Sequence, residues 1–156
     1  MAAGAWKIFT RAKRNMNTTA TPIHLDGVFR MSLHRASASA GVLKITNTGI
    51  STFASVFGEI SARGGYAVGG RSIPGIKWTV GASTKQMKFS FTTAGLVFTA
   101  SGSALNNIKY AVIRNSTGAG AGKVLCFCTL STAAFSISSP NTLTILPAAT
   151  GAFTLA

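Results

Sequence analysis

The chain has 156 residues, of which 47% are hydrophobic, and its fifteen Lys and Arg stand against two acids. This length and apolar content fit one domain with a buried core, which excludes a largely disordered polypeptide. The formal net charge of +13 predicts a surface that attracts nucleic acid, anionic membrane or acidic protein, without choosing among them.

Residues 1–24 are predicted to form an N-terminal arm or short helix. Apolar side chains recur there at helical spacing, at Trp6, Phe9, Ala12 and Met16. Basic side chains cluster in the same segment, at Lys7, Arg11, Lys13 and Arg14. The segment lacks a continuous apolar stretch and becomes basic by Arg11, so we expect neither a signal peptide nor a membrane span, and no membrane partner.

Residues 25–156 are predicted to form a single all-β domain, a β-sandwich or jelly roll. Short runs rich in β-branched and aromatic residues predict its strands: Gly27–Arg35, Ile76–Val80, Met87–Phe91, Leu96–Thr99, Ile108–Arg114, Val124–Leu130 and Leu143–Leu146. Clusters of Gly, Ser, Asn and Pro separate the later runs, and helices long enough for parallel crossovers are missing. A short helical turn is predicted over Thr52–Ile60.

The run Val124–Leu130 is apolar on both faces, which predicts a central strand covered on both sides. Cys126 and Cys128 lie two positions apart, so a strand directs both to one face. A disulfide between them would be badly strained. We therefore interpret both as small buried apolar residues.

Residues for catalysis or metal binding are scarce. Paired-carboxylate chemistry would require Asp26 and Glu59 to meet, because the chain has no other acids. His24, Asp26, Cys126 and Cys128 lack the spacing of a structural zinc site. The sequence predicts no enzyme, no metal and no cofactor.

The segment Gly64–Gly70 contains glycine pairs on both sides of Tyr66, and Arg63 and Arg71 flank it. Such pairs permit backbone angles and close approaches that other residues forbid, so a tight loop is predicted. We call residues 64–70 the glycine loop. Two interpretations remain open: a simple connector, or a surface that a neighbouring subunit approaches closely.

The glycine loop and several later segments together are typical of a known family. These segments are Gly58–Gly70, Ile76–Trp78, Leu96–Ala100, Lys109–Arg114, Val124–Phe127 and Ala152–Leu155. Over roughly residues 28–156 the chain resembles small virion structural proteins of tailed bacteriophages. The resemblance implies a non-enzymatic role in the virion, assembled in the host cytoplasm: a capsid decoration or cementing subunit, or less often part of a fibre or tail.

This role predicts contacts with the major capsid protein or other virion proteins, and by analogy a homo-oligomer. The candidate interface residues come from the N-terminal segment and the glycine loop: Trp6, Lys7, Phe9, Arg11, Arg14, Arg63, Tyr66 and Arg71. One alternative is a nucleic-acid-facing coat protein whose basic arm neutralises phosphates. Another is a tail or fibre module, which requires exposed glycan-binding aromatic residues, whereas Trp78 is expected to be buried.

Overall fold

The computed structural model describes residues 4–16, 27–35, 52–53, 58–80, 86–117, 121–148 and 151–155. Within these ranges the chain forms antiparallel strands and one short helix, which confirms the all-β prediction. The elements are β1 (Lys7–Ile8), α1 (Thr10–Met16), β2 (Phe29–Arg35), β3 (Arg71–Ser72), β4 (Lys77–Val80), β5 (Met87–Ser90), β6 (Leu96–Thr99), β7 (Leu105–Asn115), β8 (Val124–Thr129), β9 (Phe135–Ile137), β10 (Thr142–Ile145) and β11 (Phe153–Leu155).

The largest sheet has six strands, in the order β1-β8-β7-β2-β3, with β9 also pairing with β7. Its two long central strands, β2 and β7, pair from Phe29 opposite Asn115 to Arg35 opposite Ile108. The remaining strands form two smaller sheets, β10-β6 and β11-β5-β4. All of these strand pairs are antiparallel, as expected for short strands joined by turns.

Strand β2 divides its side chains between the two faces of the large sheet, because successive residues of a strand point to opposite sides. Phe29, Met31 and Leu33 lie on what we call the inner face, and all three are completely buried. The Phe29 ring lies 5.6 Å from the Phe89 ring of β5, measured between centroids. The inner face of the large sheet therefore packs against the β11-β5-β4 sheet.

The opposite, or outer, face of the large sheet is covered at one end by α1. Phe9, which precedes the helix, packs against Phe127 of β8 with ring centroids 5.2 Å apart, and Ala12 within the helix is completely buried. The Phe9 amide also donates to the Leu125 carbonyl at 3.1 Å. In the described part of the segment predicted as an arm or short helix, a short helix forms and packs on the sheet.

The strands predicted from alternation all occur, with ends that differ by up to three residues. Four strands of two or three residues were not predicted: β1, β3, β9 and β11. The helical turn predicted over Thr52–Ile60 lies partly outside the described residues. At its end, Glu59 instead forms a β-bridge with His34. The finer choice between a sandwich and a jelly roll stays a prediction.

Candidate interaction surfaces

The glycine loop lies against the edge of β2 that faces away from β7. Two short segments pair with different parts of the strand along this edge. Near one end, Arg30 and Met31 pair with β3. Near the other, the Ile60 amide donates to the Leu33 carbonyl at 3.0 Å. Between these segments the Leu33 amide donates to the Tyr66 hydroxyl at 3.1 Å. Tyr66 therefore satisfies a buried amide that neither segment reaches.

Glu59 connects the glycine loop to the edge of β2. Its Oε1 accepts hydrogen bonds from the Tyr66 hydroxyl at 2.5 Å and from the Gly69 amide at 2.7 Å. Burial, followed by the hydrogen bond to Glu59, raises the pKa of Tyr66 well above its usual value of 10.0. The hydroxyl therefore stays protonated at physiological pH and acts as a structural donor.

Two glycines let the loop approach the strands closely. A Cβ at Gly70 would lie 1.9 Å from the Met31 carbonyl oxygen, and a Cβ at Gly64 would lie 2.4 Å from the Ser103 carbonyl oxygen. Both residues also have positive φ, at 71° and 57°. Glycine is required here by both space and backbone angle, because the chain's own backbone lies against both positions.

Two arginines face each other across β2 and β7, since Arg30 is the register partner of Arg114. Like charges placed directly opposite destabilise a sheet. Here both guanidinium groups donate to the Gly69 carbonyl, at 3.1 Å from Arg30 and 3.3 Å from Arg114. The Arg114 guanidinium also lies 4.4 Å from the centroid of the Phe53 ring, which adds a cation–π attraction.

The candidate interface residues divide into a buried and an exposed set. Trp6, Phe9 and Tyr66 belong to the chain's own core, where 9%, 0% and 5% of their surfaces are exposed. Their bulk fills the fold, where Trp6 meets Phe91 and Tyr66 meets Phe98, and their part in an interface stays a prediction. The exposed set consists of cations: Lys7, Arg11, Arg14, Arg63 and Arg71.

Cys126 and Cys128 are free and buried, and their positions in β8 direct both to the inner face, as predicted. Burial raises the pKa of Cys126 well above its usual value and that of Cys128 to about 11. The Cys128 thiol donates to the Gly4 carbonyl at 3.0 Å. Both groups are therefore protonated at neutral pH, and a thiolate nucleophile is not available from either.

A concavity of about 660 Å³ lies between the N-terminal residues and strands β10 and β11. Its lining is mainly apolar, with Trp6, Phe135, Leu143 and Phe153 among the side chains, and its described residues include no titratable side chain. Among the residues that the structure describes, no group of three or more His, Cys, Asp or Glu could hold a metal ion.

His24 and Asp26 lie outside the described residues. Trp78, expected to be buried, is partly exposed, although its ring packs against Phe89 at a centroid distance of 4.8 Å. Sequence reasoning missed the partners of Glu59 and the role of Arg35 and Asn107, which line a small polar pocket together. A positive φ of 60° at Asn107 falls where the pairing of β7 with β9 is irregular, and the strand pattern of the sequence does not predict it.

Within the described ranges, no helix has the length and hydropathy that a bilayer crossing requires. Comparison of the chain with protein-family models, with curated proteins and with solved structures finds no match in any of the three.

Proposed function

We propose that this protein is a non-enzymatic structural subunit of a bacteriophage particle, and that it binds the capsid shell as a decoration or cementing protein. The observation that carries the proposal is the division of the candidate residues described above. The aromatic side chains are used inside the fold, whereas the cations remain exposed on elements that the core holds in place. Charged groups fixed in this way suit recognition of an acidic protein surface.

The rigid support of these cations favours a binding role. Lys7 lies in β1, which pairs with β8, and Arg11 and Arg14 lie on a helix whose Ala12 is completely buried. Arg71 begins the pairing of β3 with β2. Because these residues are already ordered by secondary structure, binding would cost less conformational entropy than it would from a flexible tail. Many such weak contacts add when several copies act together.

The chemistry of the described residues supports a non-enzymatic role. Glu59 is the only acid among them, and its Oε1 already accepts two hydrogen bonds. The two cysteine thiols are buried and protonated. An enzyme needs a positioned acid, base or nucleophile in reach of substrate, and each of these candidates is used in the structure of the fold.

The proposal is tested by locating the protein on particles. Antibodies against the purified protein are applied to intact virions purified from the cells that encode it, and gold labels are imaged by electron microscopy. Labels distributed over the shell support a decoration protein. Labels on tails alone would reassign the protein to the fibre or tail class, and intact virions that carry neither the protein nor label contradict the proposal.

A nucleic-acid-facing coat protein is the second candidate, favoured by the exposed Arg11, Lys13 and Arg14 of α1. Filter binding of duplex DNA across a salt series separates the two. Strong binding at low salt that falls steeply towards physiological salt favours the coat protein. A triple Arg11→Gln, Lys13→Gln, Arg14→Gln variant should then lose that binding, whereas Lys77→Gln, also an exposed cation, is the matched control. Absence of DNA binding favours the decoration protein.

A further inference from the structure

One small pocket in the described surface gathers cations and amides. It has a volume of about 180 Å³ and is lined by Arg35, Ile60, Ser61, Arg63, Asn106 and Asn107. These residues carry two guanidinium groups, two side-chain amides and a hydroxyl, and none of the described lining residues is acidic. We propose that this Arg35–Arg63 pocket binds a single oxyanionic group, a carboxylate or a phosphate. The inference goes beyond the capsid role and does not depend on it.

Irregular strand pairing builds the amide side of the pocket. Leu105 pairs with Ile137 and Ile108 with Phe135, so Asn106 and Asn107 together lie opposite the single residue Ser136. Leu105 and Ile108 are both completely buried, although residues three apart in a regular strand point to opposite faces. The bulge therefore keeps both apolar side chains inside and displaces the two asparagines into the pocket wall.

Asn107 has a φ of 60°, in the left-handed region. Such a conformation is costly for most residues other than glycine, and asparagine tolerates it better than most. The backbone N–H of Asn107 donates a long hydrogen bond to the Ser136 hydroxyl oxygen, at 3.4 Å. Unusual backbone angles cluster at ligand-binding positions, which agrees with a pocket that uses this asparagine.

Two other segments fix the cations. A second irregularity in the pairing of β2 with β7 falls between His34 and Arg35, and the Arg35 Nη2 donates to the Ser61 hydroxyl at 2.6 Å. The Arg63 carbonyl accepts from the Tyr66 amide at 2.9 Å, so its backbone is tied to the glycine loop. Both guanidinium groups are thus carried by backbone that is hydrogen-bonded in place.

The size and chemistry of the pocket select its ligand. Pockets for drug-sized molecules begin at about 300 Å³, so 180 Å³ admits one small group and not a whole nucleotide. Guanidinium forks and amide N–H groups match the oxygens of carboxylate and phosphate. Glu59 is the nearest acid in sequence to Arg63. Its Oε1 accepts hydrogen bonds from Tyr66 and Gly69, so this oxygen does not serve as an internal ligand of the pocket.

The test is a nuclear magnetic resonance titration of the full chain with acetate, with inorganic phosphate and with an aspartate-containing peptide, all at constant ionic strength. We expect saturable shifts of the Ser61, Arg63 and Asn107 amide signals. Tighter binding of the peptide than of acetate assigns the group to an acidic side chain of a partner protein. Equal or tighter binding of the free ions assigns it to a small anion.

Two variants make the test specific. Arg63→Gln removes an exposed cation and should weaken binding about tenfold or more, because it removes a charge-assisted hydrogen bond. Asn107→Gly keeps the positive φ while removing the amide, and should also weaken binding. The control Lys77→Gln, an exposed cation outside the pocket lining, should leave it unchanged. The proposal is overturned if the shifts do not saturate, or if Arg63→Gln binds as tightly as the control.

Discussion

The inner face of the large sheet and the part of its outer face beside the glycine loop use opposite kinds of side chain. The inner face carries Phe29, Met31 and Leu33 against the aromatic cluster around Phe89. The outer face carries Arg30 opposite Arg114, whose charges are accommodated by the Gly69 carbonyl and by the Phe53 ring. The inner face gains stability from apolar burial. The arginine pair on the outer face needs specific polar partners, and the glycine loop supplies one of them through the Gly69 carbonyl.

The largest effect is expected where the glycine loop meets β2. Gly70→Ala would place a Cβ 1.9 Å from the Met31 carbonyl oxygen, and we expect a loss of more than about 4 kcal/mol in the free energy of unfolding, or failure to fold. Gly102 has the same φ of 71°, but a Cβ added there would meet nothing within 4 Å, so Gly102→Ala should cost only about 1–2 kcal/mol. Urea denaturation followed by circular dichroism measures both. Equal losses would show that the loop does not constrain the sheet.

Truncation of a side chain that packs against the inner face should be the next most severe change. Phe89 is completely buried and contacts Phe29, Trp78 and Phe153, so Phe89→Ala should cost about 3–5 kcal/mol. Phe53 on the outer face is partly exposed, and Phe53→Ala should cost clearly less. Chemical denaturation of the two variants measures the difference between the faces, and a larger loss for Phe53→Ala would reverse their ranking.

Removal of one hydroxyl tests the polar support of the outer edge. Tyr66→Phe leaves the Leu33 amide without its acceptor and Glu59 without one of its donors. An unsatisfied buried group costs about 1–3 kcal/mol, and we expect a loss in that range. Tyr110→Phe is the control, because Tyr110 is also a buried tyrosine of the core. Thermal denaturation of the two variants should show the larger shift for Tyr66→Phe.

Because Cys126 and Cys128 are buried on the inner face, we expect the free energy of unfolding to fall at alkaline pH. Burial raises the folded-state pKa of Cys128 to about 11 from 9.0, and that of Cys126 rises too. The unfolded chain therefore loses these protons first, so stability is fully present below pH 9 and declines as pH rises towards the folded value. Urea denaturation at a series of pH values measures this, and the double variant Cys126→Ala, Cys128→Ala should flatten the decline between the unfolded pKa values of cysteine and tyrosine.

The smallest effect on stability is expected for the exposed cations. Arg11→Gln and Arg14→Gln should each change the free energy of unfolding by less than about 0.5 kcal/mol, because surface substitutions away from buried partners are nearly neutral. If the proposed capsid contact is correct, the same variants should bind purified particles more weakly in a co-sedimentation assay. Full particle binding by the double variant would remove α1 from the proposed interface.

The class of the fold could be predicted from the sequence alone, because alternation and apolar runs are local properties. Strand β8 is an example: its continuous apolar run predicted a covered central strand with both cysteines on one face, and the structure confirms this. A surface position for the cations is also predicted from the sequence alone, because burial of an unpaired charge is costly.

By contrast, the folded chain was needed to identify the aromatic residues that fill the core and the polar groups that meet. Tyr66 and Leu33 are 33 residues apart in the chain, and their hydrogen bond follows from a gap between two edge segments that no short pattern encodes. The asparagine bulge of β7 likewise depends on β9, about thirty residues away in sequence. Strand register joins distant residues, so such sites emerge only when the sheet is assembled.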